Sequence, residues 1–438
     1  MNPGVIIPID TIVAPATPAG RGALSIVRVT GAASFDAVGS CIDRNITELK
    51  PGRIYRAAFL DSNGNVVDDM TLILYRKPRS YTGEDMAELF FHGGMLIIET
   101  ALKTLMSKGL RAAEPGEFTK RAFLNGKMDL ISAESIEALI DAPSRQSLFA
   151  TTRLLSEGIE SINSVIDRLE KLRTEMLAHI EFPEDDLPDF RLDEWQNLLK
   201  AEITQLSSLK ERAERSSVLR SSPMVVLTGK PNAGKSSIFN AILREERAIV
   251  HSEPGTTRDF LEADIVHNGV TISIIDTAGI DKPLNALDEL AMQRAEKLKE
   301  KAALTVEVHD STSDREYQSS EKKIVVMNKT DISNPGEMEN CIAVSARTGQ
   351  GIETLLNTIS DRLRPETGDY LQLSMRAQAT LKTALANLSS TSANLDNEMF
   401  DIALDELEKG LQELYSVTGR EFRQEIINDI FKDFCIGK

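Results

Sequence analysis

The chain has 438 residues, of which 41% are hydrophobic and 27% charged, which predicts an ordinary soluble protein of two or three domains. Its formal net charge of −17 argues against a surface built for nonspecific nucleic-acid binding, because such a surface normally needs a basic footprint. The sequence has no secretory signal, no apolar run near the roughly 20 residues that span a bilayer, and no cysteine spacing typical of disulfide or zinc frameworks, so we expect a cytoplasmic protein without a membrane partner.

Four stretches of different pattern follow one another along the chain. Residues 1–122 mix short β-type runs with Gly/Pro loops and one helix-like run from Met95 to Met106, which predicts an α+β domain. Apolar residues recur three and four apart through much of 123–219, as in long helices. Residues 220–364 alternate strands and helices, and the helical pattern returns over 365–438. We therefore predict a multidomain protein in which an α/β domain is inserted into an α-helical bundle.

A phosphate-binding loop is predicted at the start of the α/β domain. The apolar run 223–228 is followed by Gly-Lys-Pro-Asn-Ala-Gly-Lys-Ser at 229–236 and then by a helix-like run. In this setting the backbone N–H groups would close around a β-phosphate, Lys235 would neutralise phosphate oxygens, and the Ser236 hydroxyl would bind Mg²⁺. A chance glycine-rich turn is the alternative, and the motifs that follow argue against it.

Two companion motifs predict the surroundings of the metal and the γ-phosphate. Thr257, within Gly-Thr-Thr-Arg-Asp, offers a second hydroxyl to magnesium on a loop that would order around the γ-phosphate. Asp276 ends an apolar strand beside the metal, and the N–H of Gly279 could meet the γ-phosphate. These residues predict a P-loop domain that binds a nucleoside triphosphate with magnesium.

Two further motifs predict that the base is guanine. Asp331, which ends Asn-Lys-Thr-Asp, can accept both N1–H and N2–H₂ of guanine, a donor pair that adenine lacks. Ser345, Ala346 and Arg347 fit the loop that closes over the base. The predicted GTP/GDP-binding residues are Asn232, Ala233, Gly234, Lys235, Ser236, Ser237, His251, Ser252, Glu253, Pro254, Gly255, Thr256, Thr257, Asp276, Thr277, Ala278, Gly279, Asn328, Lys329, Asp331, Ser345, Ala346 and Arg347.

Motifs outside this G domain carry a resemblance to a known family. They lie at 10–14, at 81–85 with 92–94, at 115–127 (Pro-Gly-Glu-Phe-Thr-Lys-Arg-Ala-Phe-Leu-Asn-Gly-Lys), and at 434–438 (Phe-Cys-Ile-Gly-Lys). With a G domain similar to those of the translation-factor-related GTPases, the chain resembles the MnmE family, also called TrmE, of tRNA-modification GTPases. The resemblance runs from residue 10 to the last residue.

The resemblance implies a folate site in the N-terminal domain, which would also form a homodimer. The ligand would be 5-formyltetrahydrofolate or a related folate, with contacts on Arg28, Glu88 and Lys127 and with Lys438 nearby. A carboxylate suits the paired donors of a pterin edge, and cations suit a glutamyl tail. Without the family resemblance, Arg28 and Glu88 would be interpreted as surface or ion-pair residues. Cys435, close to the folate in the family, is a candidate for one-carbon chemistry, although a lone C-terminal cysteine is usually inert.

The resemblance also implies a potassium-activated GTPase that works on tRNA with the FAD protein MnmG, as a heterotetramer. Together these proteins place an aminomethyl or carboxymethylaminomethyl group on C5 of the wobble uridine. Potassium would take the place of an arginine finger. Its ligands would be the Asn232 side chain, the carbonyls of His251 and Glu253, and Thr256. The alternative is that Asn232 only stabilises its own loop.

Two stretches depart from the family pattern. The glutamate that orients the attacking water falls, by ungapped spacing, at Asp288 with Glu289 beside it, so these two and Lys235 are the candidate catalytic residues. The strand 304–310 alternates polar and apolar residues, whereas a central parallel strand is normally apolar on both faces. Only 311–323 then remains for a crossover. We expect a sheet that is either less well covered here or locally remodelled.

Two other functions stay open from the sequence. One is a GTPase switch such as a ribosome-assembly factor, whose output is binding, but such a protein has no use for a folate pocket or a Cys-Ile-Gly-Lys tail. The other is a folate-dependent aminomethyltransferase with an accessory G domain, but the chain shows no evident site for a carrier partner.

Overall fold

The structure is a computed structural model in which two compact units are distinguished. One unit comprises 1–137, 155–210 and 373–438, and the other comprises 138–154 and 211–372. None of the described helices combines the length and apolar character needed to cross a membrane. The residues described are 10–142, 144–181, 192–216, 223–245, 249–250, 261–268, 270–276, 298, 300–312, 319–333, 341–363, 370–422, 424–432, 434 and 436–437.

The regular elements are numbered along the described chain. The strands are β1 Ile12–Pro15, β2 Leu24–Thr30, β3 Ile54–Leu60, β4 Val66–Tyr75, β5 Met86–His92, β6 Arg111–Ala112, β7 Met224–Thr228, β8 Ile249–Val250, β9 Leu261–His267, β10 Val270–Asp276, β11 Leu304–Asp310, β12 Lys323–Asn328 and β13 Ile342–Ala343. The helices are α1 Ser34–Gly39, α2 Met95–Ser107, α3 Glu117–Leu124, α4 Leu130–Ile140, α5 Arg145–Arg153, α6 Ile159–Glu181, α7 Leu192–Arg215, α8 Lys235–Glu245, α9 Ile352–Leu363, α10 Met375–Asp396, α11 Phe400–Thr418 and α12 Gln424–Lys432.

The first unit is built on a six-stranded sheet in the order β3-β4-β5-β2-β1-β6. Its strands alternate in burial: in β4, for example, Met70, Leu72 and Leu74 face the core, and their neighbours in the chain are less buried. Phe59 and Phe91 meet edge to face in that core, with ring centroids 5.2 Å apart. The α+β domain predicted for the N-terminal part of the chain is confirmed.

The helices before and after the α/β domain form one bundle, as the sequence predicted. Helix α11 packs against both α10 and α6. Leu381 and Leu388 of α10 and Leu407 and Leu414 of α11 are fully buried, and the residues of each pair are seven apart, which places them on one face of the helix. The chain therefore leaves the bundle, builds the α/β domain and returns.

The second unit contains a seven-stranded sheet in the order β13-β12-β11-β7-β10-β9-β8. Strands β13, β12, β11, β7 and β10 are parallel, whereas β9 and β8 add antiparallel pairs at one edge. Helices α8 and α9 supply apolar side chains to its core. The carboxyl ends of the parallel strands lie at one edge, which is where ligands bind in open α/β sheets.

Strand β11 keeps the alternation that its sequence predicted. Leu304, Val306 and Val308 are buried, whereas the residues between them are half-buried. Glu307 lies 3.1 Å from Nζ of Lys323 and 3.2 Å from Nε2 of His309. This face of the strand is thus less well covered, and its polar groups pair with one another. The segment 313–318 that follows lies outside the described residues.

Candidate functional site

The loop after β7 has the backbone that a phosphate-binding loop needs. Gly229 and Gly234 have φ of +139° and +94°, and Asn232 has φ of +61°. A Cβ on Gly229 would lie 2.1 Å from the carbonyl oxygen of Val308, and one on Gly234 would lie 2.1 Å from Nδ2 of Asn328. Only glycine therefore fits at both positions.

Lys235 begins α8 and folds back over this loop. Its Nζ donates to the carbonyl oxygens of Gly229 at 2.7 Å and Lys230 at 3.2 Å. The residue is largely buried, and its ammonium is held by the loop that leads into the helix. A buried cation and a helix N-terminus together attract an anion such as phosphate.

Asn328 ties the phosphate loop to the loop predicted to close over the base. Its Nδ2 donates to the carbonyl oxygen of Ala233 at 3.0 Å, and its Oδ1 accepts from the N–H of Ala346 at 3.1 Å. Ser345 in turn donates to Oδ1 of Asp331 at 2.7 Å. Five of the predicted nucleotide-binding residues thus take part in these bonds at the carboxyl edge of the sheet.

Asp276 is a buried carboxylate at the same edge. It ends β10, where it pairs in register with Leu227 of the strand that leads into the phosphate loop. The residue has no exposed surface, and neither carboxylate oxygen has a hydrogen-bond partner in the described part of the chain. An unpaired buried charge is costly. A divalent cation that prefers oxygen ligands fits this carboxylate and the nearby hydroxyl of Ser236, the second residue of α8.

Most of the predicted potassium ligands lie outside the described part of the chain. Asn232 is the one member of the predicted potassium set that the structure describes, and it is exposed at the rim of the phosphate loop. The predictions that lie outside the described residues are His251, Ser252, Glu253, Pro254, Gly255, Thr256, Thr257, Thr277, Ala278, Gly279, Asp288, Glu289, Cys435 and Lys438.

In the N-terminal domain, two of the predicted folate contacts pair directly. Arg28 on β2 and Glu88 on β5 are opposite one another in register, and Nε and Nη2 of Arg28 donate to Oε1 of Glu88 at 3.0 and 2.8 Å. The hydroxyl of Tyr75 donates to Oε2 at 3.1 Å. Burial, and then the charge of Glu88, raise the pKa of Tyr75, so this phenol stays a donor. The carboxylate is held by three bonds, of the roughly four it can accept.

Aromatic rings and the C-terminal tail enclose Arg28. Its guanidinium lies 5.3 Å from the ring centroid of Tyr81 and 5.7 Å from that of Phe118, within the range of cation–π contacts. The Tyr81 hydroxyl forms a 2.8 Å hydrogen bond with Thr119, which fixes the ring. Nη1 of Arg28 donates to the carbonyl oxygen of Gly437 at 3.2 Å. These partners lie in three of the family-like motifs, but the sequence did not single them out.

Lys127 reaches the same loop from another position. Its methylene groups pack against Gly83, where an added Cβ would lie 3.1 Å from Cγ, and its Nζ donates to the carbonyl oxygen of Pro78 at 3.0 Å. The residue is exposed, so its ammonium is accessible to an anion. The structure thus joins Arg28 and Glu88, and places Lys127 against the loop that carries Tyr81.

A buried ion network supports this loop, and sequence reasoning missed it. Arg121 has no exposed surface, and it donates to Asp10 at 2.7 Å, to Glu117 at 2.9 Å and to Glu84 at 3.4 Å. Burial opposes ionisation of Glu117, but hydrogen bonds from Arg111, from the N–H of Glu114 and from Arg121 outweigh it, so its pKa is lowered. The motifs at 10–14, 81–85 and 115–127 meet at this one cluster.

The chain is similar to known proteins over nearly its whole length. Two family models match it: "GTP-binding protein TrmE N-terminus" over residues 11–127 and "MnmE helical domain" over residues 130–435. The tRNA modification GTPases MnmE of Thermotoga maritima and Aquifex aeolicus are 37% and 34% identical to it, and each match covers 98% of this chain and 100% of that protein. Among solved structures, the G domain of the T. maritima FeoB iron transporter is 25% identical, covers 33% of this chain and 100% of that one, and gives a TM-score of 0.25.

Proposed function

The chain belongs to the MnmE family of tRNA modification GTPases, and from this premise we propose that it is a potassium-activated GTP hydrolase in wobble-uridine modification. It works as a homodimer in the cytoplasm, together with a flavoprotein similar to MnmG and with tRNA as the substrate. The product carries an aminomethyl or carboxymethylaminomethyl group on C5 of the uridine. The observation that supports nucleotide hydrolysis most directly is the buried carboxylate of Asp276, which has no hydrogen-bond partner among the described residues and ends a strand paired with the one that leads into the phosphate loop.

In the proposed G site, different residues bind the phosphates, the base and the magnesium ion and orient the attacking water. Lys235 and the N–H groups at the start of α8 bind the phosphates, and Asp331 accepts the two guanine donors. Ser236 and Asp276, with Thr257, would hold Mg²⁺, which would offset negative charge on the phosphate oxygens. Either Asp288 or Glu289 orients the attacking water.

The potassium set is proposed at the rim of the same loop. The Asn232 side chain, the carbonyls of His251 and Glu253, and Thr256 would hold the ion, which adds positive charge beside the phosphates. Asn232 is exposed at this rim, and its φ of +61° lies in the left-handed region that asparagine adopts more readily than most residues with a side chain. Its amide oxygen is of the ligand type that such a cation binds.

The proposed folate site is the cluster around Arg28. Glu88 faces the pterin donors, and Arg28, Lys127 and Lys438 face anionic parts of the ligand. Since three bonds already hold the Glu88 carboxylate, a pterin that needs both oxygens must displace a donor. When the donor displaced is the Arg28 guanidinium, it becomes free to pair with the ligand. Cys435 lies two residues before Gly437, which contacts Arg28, and it is a candidate for one-carbon transfer.

The test is complementation of a bacterial strain that lacks its own enzyme of this family, followed by mass analysis of wobble nucleosides from its tRNA. We expect this chain to restore the modified uridine, and Lys235→Ala and Glu88→Gln to fail. Glu99→Gln, on the exposed α2 surface, is a matched control that should restore it fully. Normal GTP hydrolysis in a strain whose uridine stays unmodified, with altered ribosomal subunits, would favour the assembly-factor function instead.

A further inference from the structure

Asp310 ends β11 directly beside the Asn-Lys-Thr-Asp loop, yet neither the sequence motifs nor the proposed site gives it a role. It is opposite Asn328 in the parallel register of β11 and β12. Its Oδ2 lies 2.6 Å from Nζ of Lys329. Its Oδ1 accepts from both the N–H and the hydroxyl of Thr312, at 3.1 and 3.0 Å, so these two bonds orient the carboxylate independently of the lysine.

Lys329 needs such support, because its backbone is strained. Its φ is +68°, in the left-handed region that residues with a Cβ seldom adopt. Ser311, the next residue after Asp310, donates from Oγ to the carbonyl oxygen of Lys329 at 3.0 Å and from its N–H to the carbonyl oxygen of Asn328 at 2.9 Å. The end of β11 therefore holds both the backbone and the side chain of Lys329.

Lys329 lies in the chain between two residues of the proposed base site. The residue before it bonds to the phosphate loop and to Ala346, and Asp331, two residues after it, is bonded by Ser345. A lysine stem can cover a flat apolar surface while its ammonium stays paired at the end. Here that surface would be a face of the guanine ring, and the ammonium would stay with Asp310.

We propose that Asp310 is a positioning residue of the guanine-nucleotide site, which acts by holding the Lys329 side chain over the base. The inference rests on the proposed nucleotide site and extends it to a strand end outside the motifs. The lysine ammonium favours the ionised carboxylate and lowers the pKa of Asp310, so the pair is charged at neutral pH. A lysine stem covers the ring without forming hydrogen bonds to its exocyclic groups. The loss of affinity on substitution of Asp310 must therefore be equal for guanine and hypoxanthine nucleotides.

The test is calorimetric titration of GDP, GTP and IDP into the full chain carrying Asp310→Asn. The pair is partly exposed, so we expect affinity to fall by about three- to fivefold, equally for the three ligands. In steady-state hydrolysis the KM for GTP should rise while kcat stays unchanged. In a Lys329→Met background, Asp310→Asn should cause no further loss, because the partner through which it acts is gone.

The matched control is Glu307→Gln, which removes an ion pair between the same two strands. That pair has side-chain exposures of 32% and 39%, close to the 31% and 32% of Asp310 and Lys329, but it lies away from the strand end. Equal losses from both variants, or additive losses in the Lys329→Met background, would show that Asp310 only supports the sheet.

If Asp331→Asn shifts base preference while Asp310→Asn changes nothing, this inference alone fails. If the unaltered chain binds no guanine nucleotide, the proposed function fails and this inference with it.

Discussion

The Nη1 atom of Arg28 donates a 3.2 Å hydrogen bond to the carbonyl oxygen of Gly437, so the second strand of the chain is joined to its penultimate residue. The tail fits closely there: Gly437 has φ of +92°, and a Cβ on it would lie 2.0 Å from the carbonyl oxygen of Pro15. Phe434 and Phe431 pack behind it, in a cluster with Phe123. The tail is thus part of the wall of the proposed folate site.

Gly437→Ala should therefore weaken folate binding without affecting the G domain. The added methyl group has no space, so the tail must lift away from Arg28. We expect the affinity for 5-formyltetrahydrofolate to fall about tenfold, the scale of one charge-assisted hydrogen bond, while GTP turnover stays unchanged. Calorimetric titration of both ligands measures the two effects.

Gly109→Ala is the control for Gly437→Ala. Its φ of +91° imposes the same backbone strain, but no atom lies within 4 Å of an added Cβ. Folate binding in this variant should equal that of the unaltered chain. Equal weakening by both substitutions would mean that strain, and not the docking of the tail, controls the site.

Glu88→Gln tests the carboxylate at the centre of the proposed folate site. The amide keeps the volume but loses the charge that Arg28 and Tyr75 hold, and it offers a donor where the pterin needs an acceptor. We expect folate affinity to fall by roughly tenfold to a hundredfold. GTP affinity should stay nearly unchanged, and a parallel loss of both ligands would indicate misfolding instead.

The local elements of both domains could be predicted from the sequence, because each is set by its own residues. The glycines of the phosphate loop and the apolar run before it specify that turn wherever they occur, and β7 and α8 form as expected. The β11 alternation was also visible, and the structure adds the Glu307–Lys323 pair that accounts for it.

Long-range pairs could not be predicted, since no spacing rule links them. The family resemblance pointed to Arg28 and Glu88 separately, but their direct pairing depends on the register of β2 against β5. The same holds for Arg121, whose sequence context is an ordinary amphipathic helix. Glu117 is one helical turn before Arg121, but the burial of the arginine depends on two distant carboxylates, Asp10 and Glu84, that the fold brings to it.

Asp331→Asn should shift the base preference from guanine to xanthine. Ser345 donates to Oδ1 of Asp331, so an amide oxygen can keep that bond while the amide nitrogen faces the base. That nitrogen is a donor, which matches the additional carbonyl oxygen of xanthine and opposes the amino group of guanine. Hydrolysis of XTP and GTP by the variant measures the shift. An unchanged preference for GTP would remove Asp331 from base recognition.

Turnover of GTP should be faster in KCl than in NaCl at equal ionic strength, on the order of tenfold or more if the ion takes the place of an arginine finger. Asn232→Gly is the informative variant, because glycine adopts the φ of +61° without strain and the substitution removes the side-chain amide, with the oxygen that would bind the ion. We expect this variant to lose most of the difference between the two salts. Equal rates of the unaltered chain in both salts would exclude potassium, and Arg258 would become the nearest arginine-finger candidate.

The stability of the N-terminal domain should depend on pH through Glu117. Its carboxylate accepts from Arg111 at 2.7 and 3.0 Å, from the N–H of Glu114 at 2.8 Å and from Arg121 at 2.9 Å, and these bonds outweigh burial and lower its pKa from the ordinary value of 4.5. A lowered pKa means that the stabilisation is complete above pH 4.5 and is lost as the pH falls through the folded-state value.

Glu117→Gln should remove this pH dependence, because an amide does not titrate. It also leaves Arg121 buried with one negative charge fewer around it. We expect it to destabilise the domain at neutral pH by about 3 kcal/mol, the scale for breaking a buried ion pair, and to flatten the loss of stability on acidification. Hydrogen exchange of the amides in 111–124, followed from pH 7 to below pH 4.5 and corrected for intrinsic rates, resolves this region from the other domains. Glu99→Gln removes only the exposed pair with Lys103, so its exchange profile should match that of the unaltered chain. If Glu117→Gln retains the full acid-dependent loss of protection, Asp10, whose pKa is also lowered, carries it.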